Sequence, residues 1–206
     1  MSNVNIKRAI ENIRSGTSVY TPIIEVIVNA IQAIESAGIS NGSVEVVVKR
    51  DRQLDLIEGL SEIDGFDVID NGIGFNDENR ESFDTLYSAH KISEGGKGFG
   101  RFTCLKYFED MKVESTFSRG DKFFYRCFEM GKENEIIINE KTEASKTSTT
   151  GSKIRLIKLK KTKFPDKKLQ TIARVLVEKL LPFFVVEDRR PMDIVLREED
   201  ESELIG

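Results

Sequence analysis

The first residues able to do chemistry are an acid and an amide four positions apart, Glu25 and Asn29, in the apolar segment from Pro22 to Ala37. Because a helix turns by about 100° per residue, four polar side chains of this segment fall within an arc of roughly 60°: Glu25, Asn29, Gln32 and Ser36. A narrow polar stripe between apolar walls needs partners, either other side chains or a ligand. The Glu25 carboxylate could orient or deprotonate a water molecule, and the Asn29 amide oxygen could bind a hard cation such as Mg²⁺.

A purely structural explanation covers only part of this stripe. Thr21 would cap the helix, Pro22 would occupy its first position, and the Glu25 carboxylate would complement the N-terminal dipole. Asn29 stays unexplained, because asparagine competes with the backbone for hydrogen bonds and is unfavourable inside a helix. On this segment alone, both explanations of Glu25 stay open.

The second candidate is the segment Asp70-Asn71-Gly72-Ile73-Gly74, which follows an apolar strand end. Asn-Gly is typical of a hairpin turn, but here the chain continues into a polar helical stretch and not into a matched strand. The second glycine, Gly74, indicates that something flat or bulky comes close to the backbone. A carboxylate can only accept hydrogen bonds, so Asp70 could receive an exocyclic amine such as that of adenine.

The third candidate is a glycine-rich loop, residues 95–100, that opens a predicted helix. Glycines let backbone N–H groups converge on an anion, and the helix N-terminus adds a favourable dipole. The loop matches neither a Walker A motif nor a dinucleotide-binding turn, because the required residues and the leading strand are missing. A flexible linker is the alternative, while Lys97 and Arg101 favour a phosphate site.

Hydrophobic periodicity predicts the elements that must position these residues. The predicted helices cover residues 4–13, 22–37, 77–86, 99–108 and 166–181, the last being stopped by Pro182. The predicted strands cover residues 43–49, 65–69, 112–117, 122–130, 135–139, 152–158 and 192–196, with loops at 87–100 and 141–150. Helices, then strands, then a helix, without alternating βαβ units, favour an α+β two-layer sandwich. Residues 197–206 are predicted to be an acidic tail.

Composition excludes several other classes of protein. The chain has 206 residues, enough for one domain with a core, and its net charge of −4 gives no general basic surface for nucleic acid. Cys104 and Cys127 form neither a metal-binding nor a disulfide pattern, and the single histidine, His90, excludes a site with several histidines. Without a signal peptide or a long apolar run, we expect a soluble cytoplasmic protein without membrane spans.

Four motifs in a fixed order carry a resemblance to a known family. Glu-x-x-x-Asn on a helix, Asp-x-Gly-x-Gly after a strand, a glycine-rich loop opening a helix, and TGSKIRL (residues 150–156) entering a strand follow one another. This order resembles the GHKL ATPase superfamily, which includes DNA gyrase B subunits, large heat-shock chaperones, histidine kinases and MutL-type repair proteins. The resemblance spans residues 25–156 and implies a sandwich of the Bergerat type, with a mixed, mostly antiparallel sheet and helices on one face.

The resemblance also implies roles for individual residues. Glu25 matches the general base that activates water, Asn29 matches the Mg²⁺ ligand, and Asp70 matches the acceptor of the adenine amine. Other matched positions are the glycines of the aspartate motif and a hydroxyl residue that supports adenine: Gly72, Gly74 and Ser152. The nucleotide contacts at the end of the ATP lid would come from Lys91, Gly96, Lys97, Gly98, Phe99, Gly100 and Arg101. Gln32 departs from the family pattern, since many members have an acid there, and the lid is short.

The resemblance implies an Mg-ATP-dependent hydrolase that acts as a conformational switch, with a lid that closes over ATP and with coupled homodimerisation. A histidine-kinase type of domain is disfavoured, because such domains usually lack an acid at the position of Glu25 and need a histidine on an upstream helix. A non-hydrolysing ATP-binding module stays open as the alternative. The chain is expected to be one ATP-binding domain, residues 1–206, at the start of a longer protein. A lysine from a following domain reaches the γ-phosphate in similar hydrolases, so we expect slow hydrolysis by these residues alone.

Overall fold

A computed structural model describes residues 6–11, 13, 16–51, 59–85, 100–160, 164–185 and 192–199. The helices of this part of the chain are α1 (Ile6–Glu11), α2 (Tyr20–Ala37), α3 (Asp77–Asp84), α4 (Gly100–Tyr107) and α5 (Leu169–Phe184). Its strands are β1 (Gly42–Arg50), β2 (Ile63–Asp70), β3 (Phe108–Arg119), β4 (Lys122–Met130), β5 (Ile137–Ala144), β6 (Gly151–Leu159) and β7 (Met192–Glu198). None of these helices is both long and apolar enough to span a membrane.

The strands form one sheet in the order β5-β4-β3-β6-β2-β1-β7. Neighbouring strands are antiparallel, except that β7 runs parallel to β1 at one edge. Every second residue of β1 is fully buried, namely Val44, Val46 and Val48, as expected for a strand with one face on the core. Helices α2, α4 and α5 pack on the sheet, and their apolar residues join one core with it. The structure confirms the predicted α+β two-layer sandwich.

Helix α2 is the central helix of the layer that packs on the sheet. Ile23, Ile27 and Ile31 are completely buried, which contributes roughly 1.5–3 kcal/mol each to folding. The helix ends at Gly38, which has φ 66° and donates its N–H to the last turn. At the other end the prediction was wrong, because the helix begins at Tyr20 without a side-chain cap, and the Thr21 hydroxyl accepts the N–H of Ser18.

Three predicted boundaries were also wrong, and each error has a physical reason. Strand β5 continues through residues that were expected in a loop. Their polar side chains are exposed and have no hydrophobic period, so no strand was predicted there. Helix α5 contains Pro182 and ends two residues later, since an exposed proline in the last turn loses only one backbone bond. Strand β7 includes Arg197 and Glu198, which pair with β1 and so do not belong to an acidic tail. Residues 200–206 lie outside the described residues.

Candidate nucleotide-binding site

A cavity of about 120 Å³ lies between helix α2, helix α3 and the core face of β2, β3 and β6. Helix α2 contributes Val26, Asn29, Ala30, Gln32, Ala33 and Ser36 to its wall. The remaining wall consists of Asp70, Gly74, Phe75, Asn79, Ser82, Phe83, Met111, Ser152 and Ile154. Three of the four sequence motifs therefore meet at one cavity, although the first and the last, at Asn29 and Ser152, are more than a hundred positions apart in the chain.

Asp70 is a buried acid at the end of β2, only 7% exposed. Its Oδ1 accepts the backbone N–H of Gly72 at 2.8 Å. Burial raises the pKa of Asp70 to about 7, and the backbone N–H groups of Gly72 and Ser152 partly oppose this increase. The carboxyl group lines the cavity with acceptor capacity beyond the Gly72 bond, so it can receive a hydrogen bond from a ligand.

The turn after Asp70 is fixed to the first strand and to helix α2. Asn71 accepts the N–H of Ser43 at 2.8 Å and donates to the carbonyl oxygen of Asn41 at 2.9 Å. A Cβ on Gly72 would lie 2.6 Å from the carbonyl carbon of Ala33, so no larger residue fits there without movement. Asn71 and Gly72 therefore hold the turn in place and do not line the cavity.

Gly74 has φ 78°, and a Cβ there would overlap the carbonyl oxygen of Thr116 on β3. The sequence predicted a close approach to this glycine, but the group that approaches is a neighbouring strand. Gly74 also lines the cavity, so part of it faces the space that a ligand would occupy. Glycine is needed at this position for the fold itself, because the positive φ and the close contact with β3 both disfavour a side chain.

Ser115 was not predicted from the sequence. It lies on β3 opposite Ser152 of β6, and Ser152 lies opposite Asp70 of β2. The Ser115 hydroxyl accepts the N–H of Phe75 at 2.8 Å, donates to the carbonyl oxygen of Gly151 at 2.8 Å, and lies 3.1 Å from the Ser152 oxygen. It links two of the motifs that line the cavity.

Arg126 is the other buried polar residue near the cavity that sequence reasoning missed. Its guanidinium donates to the carbonyl oxygens of Phe75 and Asn76 at 2.8 and 3.0 Å, and to Asp77 at 2.8 Å. The Asn76 side chain in turn caps α3 by accepting the N–H of Asn79. The hydrogen bond from Arg126 is the main reason that the pKa of Asp77 lies below its usual range. These bonds fix α3, which supplies one wall of the cavity.

Glu25 is exposed on α2, one turn before Asn29. A Cβ on Gly100 would overlap the Glu25 carboxylate, so the last glycine of the glycine-rich loop leaves space for this acid at the start of α4. The thiol of Cys104 is fully buried close to the same carboxylate. Burial first, and then the charge of Glu25, raise the pKa of Cys104 to about 12, so the thiol stays protonated near neutral pH.

Arg101, which the sequence predicted as a phosphate contact, is a buried residue that contacts the end of α3. It is 8% exposed, and its guanidinium donates to the carbonyl oxygens of Ser82 and Thr85 at 3.3 Å. It also lies 5.1 Å from the centre of the Phe83 ring, and burial lowers the pKa of Arg101 to about 10. Arg101 therefore supports the end of α3, and its contact with phosphate stays a prediction.

Five of the predicted lid residues lie outside the described residues: Lys91, Gly96, Lys97, Gly98 and Phe99. Their contacts with a nucleotide remain predictions.

The sequence model of one family matches residues 16–163, more than half of the chain, and that family is described as histidine kinase-, DNA gyrase B-, and HSP90-like ATPase. The α+β sandwich described above is consistent with this match. The chain therefore belongs to this family of ATP-binding domains. A search of the curated proteins finds no match.

Proposed function

We propose that this chain binds Mg-ATP, hydrolyses it, and uses the cycle as a conformational switch. The observation that supports this most strongly is the meeting of Asn29, Asp70 and Ser152 at one cavity, with Glu25 one helical turn from Asn29. The adenine ring would enter the cavity, and its amino group would donate a hydrogen bond to the Asp70 carboxylate. Its faces would then contact apolar wall residues such as Met111, which suits a flat heterocycle.

The metal would be bound mainly through the nucleotide. Among the described residues no cluster of acids, cysteines or histidines could hold a metal ion alone. Asn29 offers an amide oxygen at the edge of the cavity, and Mg²⁺ commonly uses one or two protein ligands together with phosphate oxygens and water. The donor set therefore fits Mg²⁺ that arrives with ATP.

Hydrolysis would use Glu25 as the general base. A water molecule attacks the γ-phosphorus, its proton passes to the Glu25 carboxylate, and the bond to the bridging oxygen of ADP breaks. Because Gly100 approaches Glu25, the start of α4 would lie close to the reacting phosphate. Helix N-termini favour anions, so this arrangement supports phosphate binding beside the base.

The switch itself is proposed from the family relation. The predicted lid would close over ATP, and closure would be coupled to dimerisation and to further domains of a longer chain. A non-hydrolysing module would bind ATP in the same cavity, but it would not need an acid beside Asn29.

Phosphate release and nucleotide binding, measured together, test the proposal. Glu25→Ala should retain Mg-ATP binding and lower phosphate release by about a hundredfold or more, because the residue activates water and does not hold the base. Glu35→Ala is the matched control, since it removes another exposed acid from the same helix. If Glu25→Ala keeps its release rate, Glu25 only complements the helix dipole. Binding without any release by the wild type would identify the non-hydrolysing module.

A further inference from the structure

Ser115 lies in the middle of β3, on the sheet face that the helices cover, and is only 2% exposed. It is not among the described residues that line the cavity, but it bonds to two segments that are. Its register partner is Ser152, whose partner on the other side is Asp70. These three residues therefore form a row across neighbouring strands, with Ser152 between Ser115 and Asp70.

The other hydrogen bonds of Ser115 decide which hydroxyl group is the donor in the Ser115–Ser152 pair. A serine hydroxyl has one proton to donate and two lone pairs with which to accept. The Ser115 proton is used on the Gly151 carbonyl oxygen at 2.8 Å, and one lone pair accepts the N–H of Phe75. The second lone pair is left for the Ser152 oxygen 3.1 Å away. Ser152 must therefore be the donor in that pair.

This direction determines what Ser152 presents to the cavity. With its proton directed to Ser115, the Ser152 oxygen offers lone pairs and no donor. The neighbouring Asp70 carboxylate, when ionised, also only accepts. The wall formed by Asp70 and Ser152 therefore matches an amino group. It opposes a carbonyl group, because two facing acceptors leave both without a hydrogen bond.

We propose that Ser115 is a positioning residue that makes the site select 6-aminopurine over 6-oxopurine nucleotides, by directing the Ser152 proton away from the ligand. The inference rests on the proposed ATP-binding function and adds a residue that sets its base specificity. Ser115 acts through Ser152 and touches no nucleotide. A residue with only a structural role would weaken the binding of both classes of purine nucleotide alike.

Calorimetry with ATP and ITP tests the inference, because these nucleotides differ only at positions 1 and 6 of the purine. In Ser115→Ala the Ser152 hydroxyl can turn and donate to a 6-oxo group. The ratio of the ITP to the ATP dissociation constant should therefore fall by about threefold to tenfold. Ser115→Thr keeps the hydroxyl and should keep the ratio. Ser115→Cys is close in size but a weak acceptor, so it should lower the ratio even if the alanine variant does not fold.

A double substitution separates this route from a general loosening of the cavity. With Ser152→Ala present, a substitution at Ser115 should not change the ratio, because the hydroxyl through which it acts is gone. An unchanged ratio in Ser115→Ala and Ser115→Cys, or an equal fall with and without Ser152, would overturn the inference. Equal binding of ATP and ITP by the wild type would overturn this inference alone. Binding of neither nucleotide would overturn the proposed function as well.

Discussion

At the scale of single residues, Asp70 combines a proposed ligand contact with a cost to folding. A buried carboxylate loses hydration, and the hydrogen bond from Gly72 replaces only part of it. This is why the pKa of Asp70 rises from 3.8 to about 7. In the proposed site a ligand amine would supply a missing partner, so binding would offset part of this cost to the stability of the fold.

The first prediction is a pH-dependent stabilisation by Asp70→Asn. Between about pH 4 and 7 the folded chain keeps a proton that the unfolded chain has lost, so the raised pKa makes wild-type stability fall as pH rises through this window. The amide does not titrate. The melting temperature of Asp70→Asn relative to wild type should therefore be higher at pH 8 than at pH 5. Asp193→Asn, at an exposed position on β7, is the control. A difference that does not change with pH would contradict the buried charge.

Asn29 carries the second prediction at this scale. If its amide oxygen helps to hold Mg²⁺, Asn29→Ala should weaken Mg-ATP binding by about tenfold and leave binding of ATP in EDTA nearly unchanged. The measurement is a pair of titrations, with and without the metal, on each protein. A loss of the same size in EDTA would mean that Asn29 contacts the nucleotide directly or supports the helix.

At the scale of elements, close packing of turns on strands sets the shape of the cavity. Gly74 lies against the backbone of β3, and the turn around it is held by Ser115 from one strand and Arg126 from another. The position of α3 follows from these contacts, because the same arginine binds the carbonyl groups at its start. The cavity therefore depends on strand register as much as on the residues that line it.

The third prediction separates this packing from the cost of a left-handed backbone. Gly74 and Gly120 both have positive φ, 78° and 60°, but only Gly74 has a neighbour that a Cβ would overlap. Gly120→Ala should cost about 1–2 kcal/mol of unfolding free energy. Gly74→Ala should cost at least about 2 kcal/mol more, because β3 must also move. Urea unfolding of both variants measures the difference, and equal losses would show that the contact with β3 is unimportant.

Helices and strands with a clear hydrophobic period, and local motifs, could be predicted from the sequence. Contacts between residues far apart in the chain could not. The isoleucine period defined α2, and the paired glycines marked the turn after β2, because both patterns are local. Ser115 and Arg126 could not be recognised, since their roles depend on which strands become neighbours in the sheet. The observed partners of Arg101 could not be recognised for the same reason. A positive charge after glycines is typical of a phosphate site, but here the packing of α3 provides its partners.

At the scale of the whole molecule, the candidate site exists only in the folded chain. Its wall draws on α2, α3 and three strands that come together through the order of the sheet. A ligand that binds here stabilises the fold by mass action, about 2.7 kcal/mol at a hundred times its dissociation constant. Ligand binding and folding are thus linked.

The most direct test of the central claim is calorimetry of Mg-ATP with the wild type and with Asp70→Asn. The wild type should bind one nucleotide per chain. The variant should bind about fivefold to a hundredfold more weakly, because it loses an acceptor for the adenine amine at a cost of about 1–3 kcal/mol. Thermal unfolding establishes that the variant is folded. Equal affinity in a folded Asp70→Asn protein, or no saturable binding by the wild type, would contradict the assignment of this cavity to adenine.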